Sequence, residues 1–254
     1  MSVDFATPFV AALALWRRDR AILFPLAGLL LFVPQLAVLL LVPDMPQPVQ
    51  GETTEEAARA WGEAFSTWAS AHGGWYIAAQ LTALFGTLAV ATLYVDPSRP
   101  PAGQGMSRAL ALLPRYVLAM ILVTLPIGGL LLIGLPFRPV LFLMMAPIFY
   151  LLARAILVPT VLVAERPVGA IAAIGRSWRL TAGNGWVITC IYAATVLAGL
   201  FIGSVFLSVA QMAGPNPAVI AIMSLFGAGV AAVSGLAQAL IGVVLYGRLA
   251  SKGT

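Results

Sequence analysis

At 254 residues, with 61% apolar and 9% charged side chains and a mean hydropathy of +0.99, the chain lies far outside the range of water-soluble domains, in which about a quarter of residues are charged. Fourteen Lys and Arg stand against nine Asp and Glu, but all except one of the fourteen are arginines set beside apolar runs, which favours membrane phosphate over nucleic acid as the partner of the basic residues. The one cysteine, Cys190, excludes a disulfide framework and a thiolate metal site, and its apolar surroundings predict a buried, inert thiol.

Residues 4–20, DFATPFVAALALWRRDR, open with a helix start in which Thr7 is the expected N-cap and Pro8 lies in the first turn. Phe9, Leu13 and Trp16 line one side and Arg17, Arg18 and Arg20 crowd the end, the pattern of a short surface helix. Six apolar runs follow that are long enough to cross about 30 Å of hydrocarbon: 21–43, 75–95, 117–135, 140–164, 186–211 and 218–247. Pro25, Pro34, Pro126 and Gly128-Gly129 interrupt them, which neighbouring helices can cover. The first run is too long for a signal core and no A-x-A-like site closes it, so residue 1 is the expected mature start. The fold expected over 1–254 is one all-α integral membrane domain, polytopic, with six transmembrane helices and short amphipathic interfacial helices.

The long loop 44–74 carries Asp44, Glu52, Glu55, Glu56 and Glu63. Thr53 and Glu56 are spaced as a capping box, and Ala57, Trp61, Ala64, Phe65 and Trp68 make an apolar face. The expectation is a separate helix over about 53–72, lying on the outer surface and ended by Gly73-Gly74. His72 stands there without a second histidine or cysteine nearby and reads as a solvated loop residue. The next link, YVDPSRPPAGQGMSRALALLPRY, sets Leu110 and Leu113 opposite Arg108 and Arg115, again a basic surface segment before a span. The links Leu135 to Pro139 and Gly214 to Pro217 are short, which predicts tight hairpins.

Arg154 lies eleven residues before Glu165, about 16 Å along an unbroken helix, which places it near the bilayer centre. A cation there needs a partner or a wet cavity, and no span contains an Asp or Glu. Two readings stay open: a packing role, with the guanidinium on carbonyls freed by Pro147 and Pro159 or on the amides of Gln35, Gln80, Gln211 or Gln238, or a site for a ligand anion. Beyond Glu165, Arg166-Pro167 ends the span, and Val168, Ile171, Ile174 and Trp178 recur at helical spacing with Arg176 and Arg179 on another face. This predicts a short interfacial helix, closed by Asn184-Gly185 before Trp186 opens the next run.

Residues 9–43, 107–135 and 168–211 thus each read as an Arg-bearing amphipathic segment leading into a span that is followed by a returning one, a three-fold repeat of interfacial helix plus hairpin. In the six-span arrangement Arg17, Arg18, Arg20, Arg99, Arg108, Arg115, Arg166, Arg176, Arg179, Arg248 and Lys252 lie on one side, with Arg59 and Arg138 on the other. The positive-inside rule then puts both termini in the cytoplasm.

From Arg154 to Trp186 the chain resembles the membrane-domain family of glycerophosphoryl diester phosphodiesterases and related uncharacterised bacterial inner-membrane proteins. The features that carry the resemblance are Arg154 and Pro159, the exit residue Glu165, and A-x-x-R-S-W-x-L-T-x-G-x-x-W from Ala173 to Trp186, which includes Ser177, Trp178, Thr181 and, within its variable positions, Asn184. The resemblance implies a protein of a prokaryotic inner membrane with a connection to lipid. Some members join this region to a cytosolic catalytic barrel; the metal-binding carboxylates and histidines of that barrel have no counterpart in this sequence, so diesterase activity does not carry over.

The function expected first is therefore a non-enzymatic membrane protein that binds or organises anionic lipid in envelope homeostasis, through Arg154, Arg17/Arg20, Arg108/Arg115 and Arg176/Arg179. The plain alternative is that these arginines only set topology. A transporter or flippase with a path past Arg154 would suit broken helices and repeats, although no span holds a carboxylate for a coupling proton and there is no nucleotide-binding loop. A scaffold subunit of a membrane complex is a further alternative. No catalytic residue, metal or cofactor is expected, since acid–base work needs a His, Asp, Glu or comparable group within reach of the bond.

Overall fold

The computed structural model describes residues 4–47, 54–98, 100–134, 138–212, 214 and 216–251. Among these residues it is a bundle of helices without a strand: α1 (Ala6–Ala27), a π-helical turn (Gly28–Phe32), α2 (Val33–Leu41), α3 (Glu55–Val95), α4 (Ala102–Gly134), α5 (Arg138–Arg154), α6 (Val158–Ala164), α7 (Ala170–Leu180), α8 (Gly185–Met212) and α9 (Pro217–Ala250). Six stretches are long and apolar enough to cross a membrane: Ala6–Leu41, Glu55–Val95, Gly103–Leu131, Leu143–Ala164, Gly185–Met212 and Pro217–Ala250. The chain is an all-α multi-pass membrane protein.

Several boundaries differ from the expected ones. The first helix begins at Ala6, and its cap is Asp4, whose carboxylate accepts from the Thr7 amide (3.2 Å) and hydroxyl (2.7 Å); Thr7 donates to a cap rather than being one. This helix runs into the first span without a loop, bending at Asp19 (φ −113°, ψ 21°). Further on, Pro34, which has no amide hydrogen, follows the π turn, where the helix absorbs an extra residue. Gly86 of α3 lets the turn approach, since a Cβ there would sit 3.1 Å from Leu30 and Leu31.

No separate outer helix over 53–72 exists. Thr54 caps α3 by accepting from the Ala57 amide (3.2 Å), and Thr53 lies outside the described residues. The helix passes straight through Gly73-Gly74, because ending it there would need a left-handed residue, and positive φ occurs only at Gly183 and Gly214 among the described glycines. A glycine inside a helix costs about 1 kcal/mol, which a 41-residue helix absorbs. Trp61, Phe65, Trp68 and Tyr76 form an aromatic ladder along it, with His72 against Trp68, and the Trp61 and Trp68 indoles donate to the carbonyls of Pro46 and Pro43 (3.0 Å each).

The basic segment before the third span is likewise the first part of one helix, α4, and not a distinct interfacial one. Only α7, set off from α8 by the turn at 181–184, is a separate amphipathic helix leading into a span. Ala170, Ala173, Ser177 and Thr181 face the core, Val168 and Ile174 pack against it, and Ile171 is 76% exposed. Small residues win this face because apolar side chains gain nothing over lipid, whereas close backbone approach does. Cys190 is exposed on the outside of α8, not buried. The link between α8 and α9 is short, with Gly214 at φ +67°; residues 135–137 of the other short link, with Arg99 and Lys252, lie outside the described residues.

Pro159 breaks the fourth span. Its ring excludes the carbonyl four residues earlier and supplies no donor, so residues 155–157 form tight turns, with the amides of Ala155, Ile156 and Val158 donating to the carbonyls of Leu152, Ala153 and Ala155. The short α6 that follows is the centre of the bundle: Val158 to Val163 are all buried, packed by α3, α4, α7 and α9. Gly242 of α9 admits the break, since a Cβ would meet the Ile156 carbonyl at 3.1 Å.

Candidate arginine site at the basic end of the bundle

Where α5 stops, the carbonyl of Arg154 loses its helical partner, and the Ser177 hydroxyl of α7 donates to it (2.6 Å). The guanidinium turns the same way. Its Nη1 donates to the Tyr150 hydroxyl one turn back (2.8 Å) and its Nη2 to the carbonyl of Trp178 (2.5 Å). Its carbon lies 4.9 Å from the Trp178 ring centre and 5.5 Å from that of Tyr150, so two aromatic faces flank the charge. The Trp178 carbonyl belongs to the last turn of α7, where the helix dipole favours a cation. Nε is buried without a hydrogen-bond partner among the described residues.

The segment Ser177 to Trp186 is thus the wall of a cage around one arginine. Ser177 holds its carbonyl, Trp178 its head, and the Thr181 hydroxyl ties the end of α7 by donating to Ser177 (2.8 Å). Gly183 (φ +79°) and Asn184 turn the chain, with the Asn184 carbonyl accepting from Ile188 (3.0 Å). Gly185 lets the cage close tightly, since a Cβ there would lie 3.0 Å from the Tyr150 oxygen and 3.1 Å from Arg154 Nη1 and push both back by a few tenths of an ångström. Trp186 closes the group against Tyr150, ring centres 5.1 Å apart.

The structure corrects one expectation about Arg154, its hydrogen-bond partners. The residue lies beside the start of α8, where a Cβ on Gly185 would be 3.1 Å from its Nη1, and the helix on which its depth was reckoned is broken at 155–157. Its partners are a tyrosine hydroxyl and the Trp178 carbonyl; the carbonyl freed at the break is its own and goes to Ser177, and none of Gln35, Gln80, Gln211 or Gln238 reaches it.

Three carboxylates, Asp19, Asp96 and Glu165, hold other arginines of the basic segments. Asp19, at the bend of α1, is held by Arg18 (2.9 Å) and by the Tyr94 hydroxyl (2.7 Å). Two residues past Tyr94, Asp96 accepts from Arg108 and Arg166 (3.2 Å each) and from the Ser98 amide and hydroxyl (3.0 and 2.7 Å); Arg108 also contacts the Ser98 hydroxyl. Beside Arg166, Glu165 accepts from Arg176 Nε (2.9 and 3.0 Å) and Tyr246 (3.2 Å). The ends of α3, α4, α6, α7 and α9 are knotted together in this way. Burial pushes the Asp96 carboxyl up, but the Ser98 hydroxyl and amide, Arg108 and the charge of Arg166 outweigh it and hold the group below its ordinary value.

The three arginine pairs are therefore not equivalent. Arg108 and Arg176 point into the protein and are neutralised by Asp96 and Glu165. Arg115 and Arg179, their pair mates, are exposed, as are Arg17 and Arg20, and none of these four has a polar partner among the described residues. Asp96 in V-D-P-S-R and Asp19 in R-R-D-R were available as signals: a lone acid inside a basic interfacial run is placed where an arginine needs fixing. No three His, Cys, Asp or Glu side chains gather into a metal-binding group among the described residues. Compared with known proteins, the chain matches no family model, no curated protein and no solved structure.

Proposed function

We propose that this chain is a non-enzymatic protein of a prokaryotic cytoplasmic membrane, with both termini in the cytoplasm, that holds anionic lipid head groups along its arginine-bearing end. The observation that carries the reading is the division of labour among the arginines: Arg108, Arg166 and Arg176 are spent on internal carboxylates, while Arg17, Arg20, Arg115 and Arg179 are left exposed beside lipid-facing apolar surface. Ion pairing within the protein accounts for the first set and leaves the second to lipid phosphate. Long guanidinium stems reach the head-group layer from such positions, and each contributes about 1 kcal/mol at an anionic surface. Orientation follows from the same asymmetry of Lys and Arg, and the lipid connection agrees with the resemblance of residues 154–186 to the membrane domain of the phosphodiesterase family.

The test is lipid retention by the purified protein in native mass spectrometry, with phosphatidylglycerol or cardiolipin titrated against phosphatidylcholine. Replacing Arg17, Arg20, Arg115 and Arg179 by Gln together lowers anionic-lipid affinity about ten-fold or more, most at low salt, and leaves the fold intact; Arg59→Gln at the opposite end changes nothing. Equal retention by the quadruple variant and the wild type, in low and high salt, overturns the proposal and leaves these residues as topology signals.

A further inference from the structure

A second site lies deeper, away from the basic end. Beside the break at 155–157 is a cavity of about 150 Å³ lined by Thr87 of α3, Tyr116 of α4, Tyr192 of α8 and Gln238 of α9, with an apolar remainder that includes Leu152 and Pro159. Tyr116 is only 6% exposed, and neither its hydroxyl, nor that of Tyr192, nor the Gln238 amide has a hydrogen-bond partner among the described residues. Thr87 spends its hydrogen on the Ala83 carbonyl (3.0 Å) and offers the cavity only lone pairs. Three polar groups without protein partners among the described residues line one half-open space and keep accessible surface there, so they are satisfied by whatever enters it, water or a ligand. Carboxylates, ammonium and guanidinium groups are absent from the lining, so a charged occupant would stand unpaired.

Gln238 also lines a larger cavity, about 400 Å³, between α2, α8 and α9. That space is walled mainly by Leu39, Leu200, Leu207 and the flat surfaces of Gly199, Gly203 and Gly227, with Gln35, Ser204 and Ser234 as further polar lining besides Gln238. Leu200 and Leu207 are 62% and 45% exposed, so the groove opens sideways on the face that meets lipid tails. Its size is that of a small-molecule site. A half-polar cavity and a mainly apolar, lipid-facing groove that share Gln238 in their linings match the two ends of an amphiphile.

We infer that these two cavities together form a binding site for an uncharged lipid alcohol, its hydroxyl or ester head on Tyr116, Tyr192 and Gln238 and its chain along the α2/α8/α9 groove. Waters would satisfy the three polar groups equally well but would leave the groove to bulk lipid, and the test separates the two. The site is independent of the exposed arginines, and its ligand is neutral where theirs is anionic.

The experiment is photo-cross-linking of the full chain in nanodiscs with a diacylglycerol carrying a diazirine in one acyl chain, mapped by peptide mass spectrometry. Saturable labelling within Val196–Leu207 or Gly227–Gln238, displaced by unlabelled diacylglycerol and not by phosphatidic acid, is the expected result. Tyr116→Phe, which keeps the ring, weakens displacement about five-fold, the loss of one buried hydrogen bond, and Gly203→Trp abolishes labelling by filling the groove. Labelling of wild type that is absent, unsaturable or spread evenly over the outer faces of the helices overturns the proposal and leaves a hydrated cavity; equal displacement by phosphatidic acid overturns the neutral head group. Because these outcomes are read on the wild-type chain, they stand even where a variant fails to fold.

Discussion

Replacing Asp96 by Asn tests the knot at the basic end directly. The change is isosteric, and the amide oxygen can still accept from Ser98, but its NH2 group now faces Arg108 and Arg166 where a carboxylate oxygen accepted from both. Removing one partner of a fully buried ion pair costs about 3–5 kcal/mol. Asp96 is 4% exposed, but its arginines are 37% and 31% exposed and regain water, which lowers the expected loss to about 2 kcal/mol. Arg108→Gln leaves Arg166 in place and is expected to cost about 0.5–1 kcal/mol. Thermal unfolding in detergent ranks the two, and a loss from Asp96→Asn no larger than that from Arg108→Gln would refute the assignment of Asp96 as the shared hub. The same group sets a pH response. Its folded-state value is below the unfolded value of 3.8, so the carboxylate's contribution is complete above that value and is lost as pH falls through the lower, folded one. Wild type therefore loses stability below about pH 4 by a component that Asp96→Asn lacks.

The remaining expectations concern the cage and the orientation of the chain. Gly185→Ala forces Tyr150 and Arg154 apart and is expected to cost about 1–3 kcal/mol in thermal unfolding; unchanged stability would show that the close approach is not needed. Arg154→Met keeps the fold within about 1 kcal/mol of wild type, because a half-buried charge and its buried, unsatisfied Nε leave together, whereas Ser177→Ala strands a carbonyl at a helix break and costs about 1–2 kcal/mol; the reverse order would contradict this account. Arg176→Gln lowers stability through Glu165 and Arg179→Gln does not, while lipid retention moves the other way. A tag following Thr254 is labelled only from the cytoplasm and one near Gln50 only from outside; an externally labelled C-terminus refutes the orientation.

Spans were legible because a bilayer demands long apolar helices whatever their neighbours are, and 186–211 and 218–247 fall within a residue or a few of α8 and α9. Ends were harder. Gly73-Gly74 carries the composition of a helix stop, but stopping depends on backbone angles that composition does not determine, and α3 runs on. The motif around Arg154 was visible as a motif, yet its purpose depends on α7 folding back onto the end of α5, a contact between residues more than twenty positions apart. Counting arginines by side of the membrane could not separate Arg108 from Arg115 or Arg176 from Arg179, since what distinguishes them is which of each pair reaches an acid, Asp96 for Arg108 and Glu165 for Arg176.

The length of α3 has a mechanical side. Forty-one residues make a rod of about 60 Å, twice the hydrocarbon thickness of about 30 Å. One half is strapped through Trp61 and Trp68 to the chain leaving α2, and the other end runs directly into Asp96, the bolt that fastens α4 and the turn before α7. Were such a beam to pivot where the bundle grips it, its two ends would swing in opposite directions. A push on the aromatic ladder would then reach the arginine knot at the other end through one continuous helix.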